Sequence, residues 1–373
     1  MLRRTVLAAP LTAFAPQRRY RACIIGHTGR GNYGHDWHTA FAGLPNVEVA
    51  AVADPVEQGR LAAMKASRAA RGYADYREML GKEKPDLVGI FPRWLDQRLE
   101  MFTAAILAGA HVLVEKPFAR TLEDADRMAA LAARHERKVQ VGHTARPMPL
   151  TLAARDALRR GEIGDLLEIR SRGKEDRRAG GEDLIVLGTH VFDLIRFFAG
   201  DPRWVFARVS GGGRPIDRHA AREATEPVGP VAGDDIAAMF GFANGVAAYF
   251  GSKLSSDRSG ARFGVTLHGS RGLLFVPLSN VPGDPPSILK SPSWMGPAGV
   301  PLTSSMPSPA TRHEVNRMMA LDLLDAIESG REPVCSAADG RWTIEMVTGI
   351  YQSQLFGRPV EFPLKDRRNP LAG

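Results

Sequence analysis

Cysteine is almost absent from this chain: Cys23 and Cys335 are the only two among 373 residues. Two thiols cannot build a disulfide framework or a Cys-based zinc site, so structural zinc and thiol redox chemistry are excluded as organising principles. Long apolar runs are missing too. No stretch approaches the ~20 residues needed to cross a bilayer, so the expectation is a chain without a membrane span. There is no dense Lys/Arg tract with interleaved aromatics either. The 49 Lys+Arg against 41 Asp+Glu give a net +8, but they are scattered singly and in pairs, and most are Arg. That pattern reads as an Arg-rich solvated surface with a mild preference for anionic ligands, and no nucleic-acid partner is expected. No GxSxG nucleophile elbow occurs at a strand end, which leaves Ser-His-Asp hydrolysis without support. What is present is ordinary for a globular protein: 44% hydrophobic, 24% charged, 38 Gly and 26 Pro. A single core rarely grows past roughly 250 residues, so the length predicts two domains.

The N-terminus reads as an address. Met1-Leu2-Arg3-Arg4 precedes an apolar stretch, Thr5 to Ala15, that ends in Ala13-Phe14-Ala15. A charged region, a short apolar region and an A-x-A-like site are the parts of an export signal, and Arg3-Arg4-Thr5-Val6-Leu7 is similar to the twin-arginine type. Pro16 directly after the cleavage-like site opposes processing there, and the plainer alternative is the frayed end of a cytoplasmic protein. On either reading, residues 1–18 lie outside the fold.

Residues 19–145 are expected to form a dinucleotide-binding domain. Tyr20-Arg-Ala-Cys-Ile-Ile25 is a short strand, and Gly26-His-Thr-Gly-Arg-Gly31 follows at once. A helix-compatible stretch runs from Tyr33 to Phe41, and Val47 to Ala53 reads as a second buried strand ending at Asp54. Strand, glycine turn, helix, strand and terminal acid make a βαβ nucleotide unit. Glycines admit the pyrophosphate to the backbone, and the helix N-terminus offers unpaired N–H groups. Asp54 is placed to accept ribose hydroxyls and to repel a 2′-phosphate, which favours NAD over NADP. The register of the turn is open: counting from Gly26 puts Thr28 and Gly31 at the later glycine positions, whereas Gly29-Arg30-Gly31-Asn-Tyr-Gly34 is a literal GxGxxG. Further βα units follow, with helices at Tyr73–Leu80, Gln97–Ala110 and Thr121–Glu136, and strands at Asp86–Phe91, His111–Glu115 and Lys138–Gly142. The alternation predicts a parallel doubly wound sheet, whose ligands bind beyond the carboxyl ends of the strands. Gly26, Asp54, Pro92, Glu115 and Lys116 all fall there.

Several of these segments carry a resemblance. Glu115-Lys116-Pro117 at a strand end, about 90 residues after the glycine turn, resembles the glucose–fructose oxidoreductase / inositol dehydrogenase / MocA (Gfo/Idh/MocA) family. Arg159-Arg-Gly-Glu-Ile-Gly-Asp165 is similar to its helix-end turn into the second domain, and Gly188-Thr-His-Val-Phe-Asp193-Leu to its stretch carrying a catalytic histidine. Met319 to Ile327, followed by Gly330-Arg-Glu-Pro333, is similar to its closing helix, here at about 313–329. The likeness covers roughly residues 20–365. It implies an α/β plus α+β protein: an N-terminal Rossmann domain and, over 146–365, a C-terminal α+β domain on an open, largely antiparallel sheet. Short strand-like runs at Asp235–Phe242, Gly245–Phe250, Ala261–His268 and Gly272–Val276 agree on their own terms. Pro277 to about Pro309 is rich in Pro, Ser and Gly and reads as a covering or disordered loop. The family habit implies a homo-oligomer through the open sheet.

The resemblance also implies chemistry: oxidation of a secondary alcohol on a sugar, cyclitol or related polyol, with hydride passing to NAD. Such a reaction needs a base for the hydroxyl proton and a cation for the developing alkoxide charge. His190 suits the first role and Lys116 the second. Gly26, Thr28, Gly29, Arg30, Gly31, Asp54, Pro92, Glu115 and Lys116 are the expected cofactor contacts. Arg93, Trp94, Arg146, Lys174 and Asp193 are candidates for the substrate cleft, with His143 an even choice between site and core. One position departs from the family's pattern, since Val186 stands where an aspartate precedes the histidine by four residues. Glu182, Asp183 and Asp193 are the nearby acids that could substitute. The departure leaves two alternatives open: a redox-neutral lyase or glycosidase that oxidises, eliminates and reduces again, and a non-catalytic dinucleotide-binding protein.

Overall fold

A computed structural model describes residues 18–254, 263–278, 285–291 and 299–372. The export-type segment, apart from Arg18, lies outside the described residues, as do Ala261 and Arg262 of one expected strand. The first domain holds β1 (Tyr20–Ile25), β2 (Val47–Ala53), α1 (Glu57–Ser67), β3 (Arg71–Tyr73), α2 (Tyr76–Glu83), β4 (Leu87–Ile90), α3 (Arg98–Leu107), β5 (His111–Val114), α4 (Leu122–Arg134) and β6 (Val139–Val141). All its strands pair in parallel in the order β3-β2-β1-β4-β5-β6. The strands are nearly continuous in burial, as a sheet covered on both faces requires. The order reverses between β1 and β4, the kind of switch point beyond which doubly wound sheets bind their ligands.

Two expectations about this domain are corrected. No α-helix follows the glycine turn; only a 3-10 turn, Trp37–Thr39, interrupts the long connection to β2. Gly31, Asn32, Gly34 and Asp36 all take left-handed φ values, which no right-handed helix accommodates. The second concerns Tyr73–Leu80, where Tyr73 ends strand β3 and Asp75 caps α2 by accepting from the Arg77 N–H at 2.7 Å. Helix α1 is an addition to the expected elements. By contrast, α4 begins where expected, with the Thr121 hydroxyl accepting from the Asp124 N–H at 3.1 Å.

The second domain adds α5 (Pro149–Arg159), β7 (Leu166–Arg172), α6 (Gly181–Val186), α7 (Gly188–Ala199), β8 (Pro202–Gly211), β9 (Arg214–Pro215), β10 (Arg222–Glu223), β11 (Pro230–Val231), β12 (Asp235–Phe242) and β13 (Ala247–Lys253). After these come β14 (Gly264–Gly269), β15 (Leu273–Pro277), β16 (Ser287–Leu289), β17 (Val300–Pro301), α8 (Arg312–Ser329), α9 (Ala337–Phe356) and β18 (Val360–Glu361). Its large sheet runs β17-β16-β15-β14-β7-β13-β12-β8-β18, with β9 on β8, and is antiparallel except for β7 beside β13. The Pro277–Pro309 stretch is therefore not only loop, since β16 and β17 extend the sheet from within it; residues 279–284 and 292–298 lie outside the described residues. The closing helix α8 follows the second domain in sequence yet buries Met319, Ala320, Leu323 and Leu324 against Tyr20, Ile24, Trp37 and Phe41 of the first. Helix α9, buried along most of its length, packs on β8 and α7 and also on α4. The two helices stitch the domains together.

Candidate active site

The crevice is built from strand ends. Gly26 follows β1 directly, and a Cβ there would lie 2.0 Å from the Tyr33 ring. A Cβ on Gly31 would lie 2.4 Å from the Arg93 nitrogen and 2.6 Å from that of Trp94, so the turn packs against the loop after β4 where only glycine fits. Gly29, at φ +81°, meets nothing within 4 Å and faces open space. Asp54, fully buried at the end of β2, accepts from the Thr28 N–H at 3.0 and 3.1 Å, the Thr28 hydroxyl at 2.7 Å and the Val56 N–H at 2.9 Å. The acid that the sequence places beside the ribose thus also clasps the glycine turn. Arg30 pairs with Asp96, and its guanidinium lies 4.7 Å from the centroid of the Trp94 ring.

The Glu115-Lys116-Pro117 corner at the end of β5 is densely bonded. Glu115 accepts from His35 Nδ1 at 2.8 Å, Trp37 Nε1 at 3.1 Å and the Lys116 N–H at 2.9 Å. Burial pushes its carboxyl up, but the His35 hydrogen bond and the charges of His35, Lys116 and Arg98 overcome this and hold it at about 2. Arg98, fully buried on α3, donates to the Pro92 carbonyl at 2.6 Å, to the Pro117 carbonyl at 2.8 Å and to the Glu115 carbonyl. One guanidinium thereby fastens the end of β4 to both sides of Lys116. The sequence held a signal for it: Arg98 shares the buried stripe of α3 with Met101, Phe102 and Ala105 at i+3, i+4 and i+7, where a cation needs a reason.

Lys116 Nζ donates to the Val186 carbonyl at 3.1 Å, on the chain one helical turn before His190. Burial lowers its ammonium below the ordinary value; Glu115 and Glu226 oppose this, and Arg178 and Arg93 reinforce it. His190, partly exposed near the start of α7, is pushed well below its usual value by burial and then by the charge of Lys116. Its ring meets that of His143 edge to face, with centroids 5.2 Å apart. The buried Lys116 and the imidazole that its charge pushes down thus lie near one another, where the end of β5 meets α6 and α7.

The other predicted residues divide. Arg93 Nη1 stands 3.9 Å from Glu226, which binds Arg178 at 3.1 Å, which binds Asp176 at 2.6 Å, with Lys174 3.9 Å beyond. This alternating chain of charges flanks Lys116, and neither Glu226 nor Arg178 had any local signal in the sequence. Arg146 and Asp193 are bound to each other at 2.5 Å, with Asp339 on Arg146 at 3.0 Å, in a buried network behind the histidines. Val186 buries its side chain. None of the three nearby acids offers a free carboxylate in its place. Glu182 takes the Thr225 N–H at 3.0 Å, Asp183 takes the Ser252 hydroxyl at 2.5 Å and the Glu175 N–H at 3.1 Å, and Asp193 holds Arg146.

A dinucleotide suits this crevice: a turn stripped of Cβ atoms by close packing, a strand-end acid and the switch point coincide. The expected helix N-terminus is missing from it. Among the described residues no group of His, Cys, Asp and Glu could hold a metal ion, and no helix is long and apolar enough to cross a membrane.

Comparison with known proteins places these features in context. Residues 20–143 match the profile of the GFO/IDH/MocA oxidoreductase family with an NAD-binding Rossmann fold, and residues 151–275 match the GFO/IDH/MocA C-terminal domain. The D-apiose dehydrogenase of Paraburkholderia graminis is 27% identical over 376 residues, covering 95% of this chain and 92% of that protein. The rhizopine catabolism protein MocA of Rhizobium meliloti is 29% identical over 219 residues, 56% of this chain and 64% of that protein. Levoglucosan dehydrogenase in complex with NADH and levoglucosan superposes with a TM-score of 0.75 at 21% identity, covering 93% of this chain and all of that one (100%).

Proposed function

The chain belongs to the Gfo/Idh/MocA oxidoreductases, an NAD-binding family, and from that premise we propose that it oxidises a secondary alcohol of a sugar, cyclitol or related polyol with NAD. The observation that carries the reading is the reach of Lys116, from the end of β5, to the Val186 carbonyl four residues before His190, whose titration its charge influences. NAD, held by the glycine turn and Asp54, would supply the acceptor for the hydride of the carbinol carbon. His190, held neutral, takes the hydroxyl proton. Lys116 donates toward the oxygen as negative charge develops, at low cost because it is already buried and oriented by the Val186 carbonyl. Hydride and proton together leave a carbonyl, and His190 returns its proton to solvent. Arg93, Trp94 and Lys174 line the approach for a polyhydroxylated ligand. Asp54, though its oxygens are taken up by Thr28 and Val56, keeps a negative charge at the end of β2 that disfavours the 2′-phosphate of NADP. The relatives' names, apiose and levoglucosan dehydrogenases, support a carbohydrate substrate.

Val186 favours a second reading, the redox-neutral cycle, in which the same residues serve an oxidation and a return reduction within one turnover. The exposed Leu167 and Phe206 on the open face of the large sheet support a homo-oligomer through that face.

The test is to purify the protein, identify any retained dinucleotide by mass spectrometry, and incubate it with NAD and a panel that includes D-apiose, levoglucosan and myo-inositol. NADH formed in step with a ketone is the expected result. Product without NADH replaces the first reading with the second, and tight NADP with weak NAD overturns the Asp54 argument. Absence of dinucleotide binding at millimolar concentration ends both.

A further inference from the structure

His143 is the most buried imidazole of the site, and neither of its ring nitrogens has a hydrogen-bond partner. Leaving one such group unsatisfied costs about 1–3 kcal/mol, so a wholly buried, unbonded histidine calls for a partner in the working state. Its surroundings name one. The charges facing it are Asp193 and His190 on α7, Glu115 and Lys116 at the end of β5, and Arg146 on the following loop. Asp193 and Arg146 neutralise each other, Glu115 is consumed by His35 and Trp37, and Lys116 points to the Val186 carbonyl. Among the described residues the His190 ring meets it edge to face, 5.2 Å away between centroids and 78° to its plane.

Resting on the reading above, we propose that His143 is the positioning residue of His190, accepting a hydrogen bond from its ring once that ring has taken the substrate's hydroxyl proton. A neutral imidazole has one nitrogen lone pair for this purpose, and burial keeps His143 neutral, at about 4. The task is the one an acid at position 186 would perform, and none of Glu182, Asp183 and Asp193 is free for it.

The test needs no substrate. In the full-length protein with 15N-labelled histidine, the His190 resonance, assigned by its loss in His190→Gln, is titrated against pH. His143→Phe keeps the ring packing without nitrogens and should lower the His190 midpoint by about one pH unit. His143→Asn, polar but too short to reach, should do the same and decides the matter if the Phe variant does not fold. His143→Gln, with an acceptor of suitable length, should restore part of the midpoint. With an alcohol that the wild type oxidises, His143→Phe should cut kcat about ten- to a hundredfold at unchanged KM and move the acidic limb to lower pH. A His190 midpoint indifferent to both His143→Phe and His143→Asn overturns the proposal. A wild type that reduces no NAD overturns the oxidoreductase reading instead, and leaves the titration to decide the histidine pair.

Discussion

Lys116 and His190 lie near one another at the end of β5 and the start of α7, and the protein treats their surroundings differently. Around Lys116 the main chain and side chains are saturated: Arg98 binds carbonyls on both sides, Glu115 is held by His35 and Trp37, and Nζ itself rests on Val186. Around His190 there is slack, with His143 unbonded and Val186 offering no polar side chain. On the proposed reading Lys116 presents a fixed charge to a developing alkoxide, and such a group gains from rigidity, because preorganisation removes reorganisation from the barrier. A group that must gain and lose a proton needs neighbours able to respond to both of its states.

The largest break in this comparison is Lys116→Met. It should lower NAD-dependent turnover about 10²- to 10³-fold while leaving thermal stability equal or higher, since it removes a buried ammonium. NADH production alongside thermal denaturation checks both halves, and a fall in stability of the same size would recast Lys116 as structural. Arg98→Met should do the reverse to the fold. It leaves the carbonyls of Pro92, Glu115 and Pro117 unpaired, and denaturant titration should show a loss of about 3 kcal/mol.

Glu115 sharpens the contrast through pH. Its folded carboxyl sits at about 2 against an unfolded 4.5, so its contribution is complete above 4.5 and is lost as pH falls toward 2. A carboxyl held that far below its ordinary value contributes roughly 3 kcal/mol at neutral pH, and Glu115→Gln should flatten that part of the stability–pH curve. His143 acts at higher pH. Its folded value of about 4 lies below the ordinary 6.5, so its contribution is present above 6.5 and is lost as pH drops to about 4, a slope that His143→Phe removes. The smallest effect should come from Val186→Asp, which puts an acid beside the responsive half. It should move the acidic limb of kcat/KM upward by about one pH unit.

Much of the first domain was legible. Strand after strand of β-branched residues ends in Gly26, Asp54, Pro92 or Lys116, and in a doubly wound sheet those ends must meet. The Thr121 cap was legible for the same local reason. Other signals were present but unread: Ser336 with Asp339 forms the capping box that opens α9, and Thr311 with Glu314 the one that opens α8. The helix expected at Tyr33–Phe41 misled because its residues suit a helix on average, while Asn32 and Asp36 adopt left-handed conformations in a turn where Gly31 and Gly34 pack closely on their neighbours. Arg178 with Glu226, 48 residues apart, had no local signature at all.

Alternation of buried strands and helices, the glycine turn, the strand-end acid and the Glu-Lys-Pro corner are written in the order of residues, because period and turn chemistry act over a few neighbours. Which carboxylates stay free is not. Asp54 is claimed by Thr28, Asp183 by Ser252, Asp193 by Arg146 and Glu182 by Thr225, and each claim joins residues from separate parts of the chain. The same is true of His143 beneath His190. A side chain's partners depend on which distant segments the packed core brings to it, and that is settled only when the two sheets and the helices α8 and α9 come together.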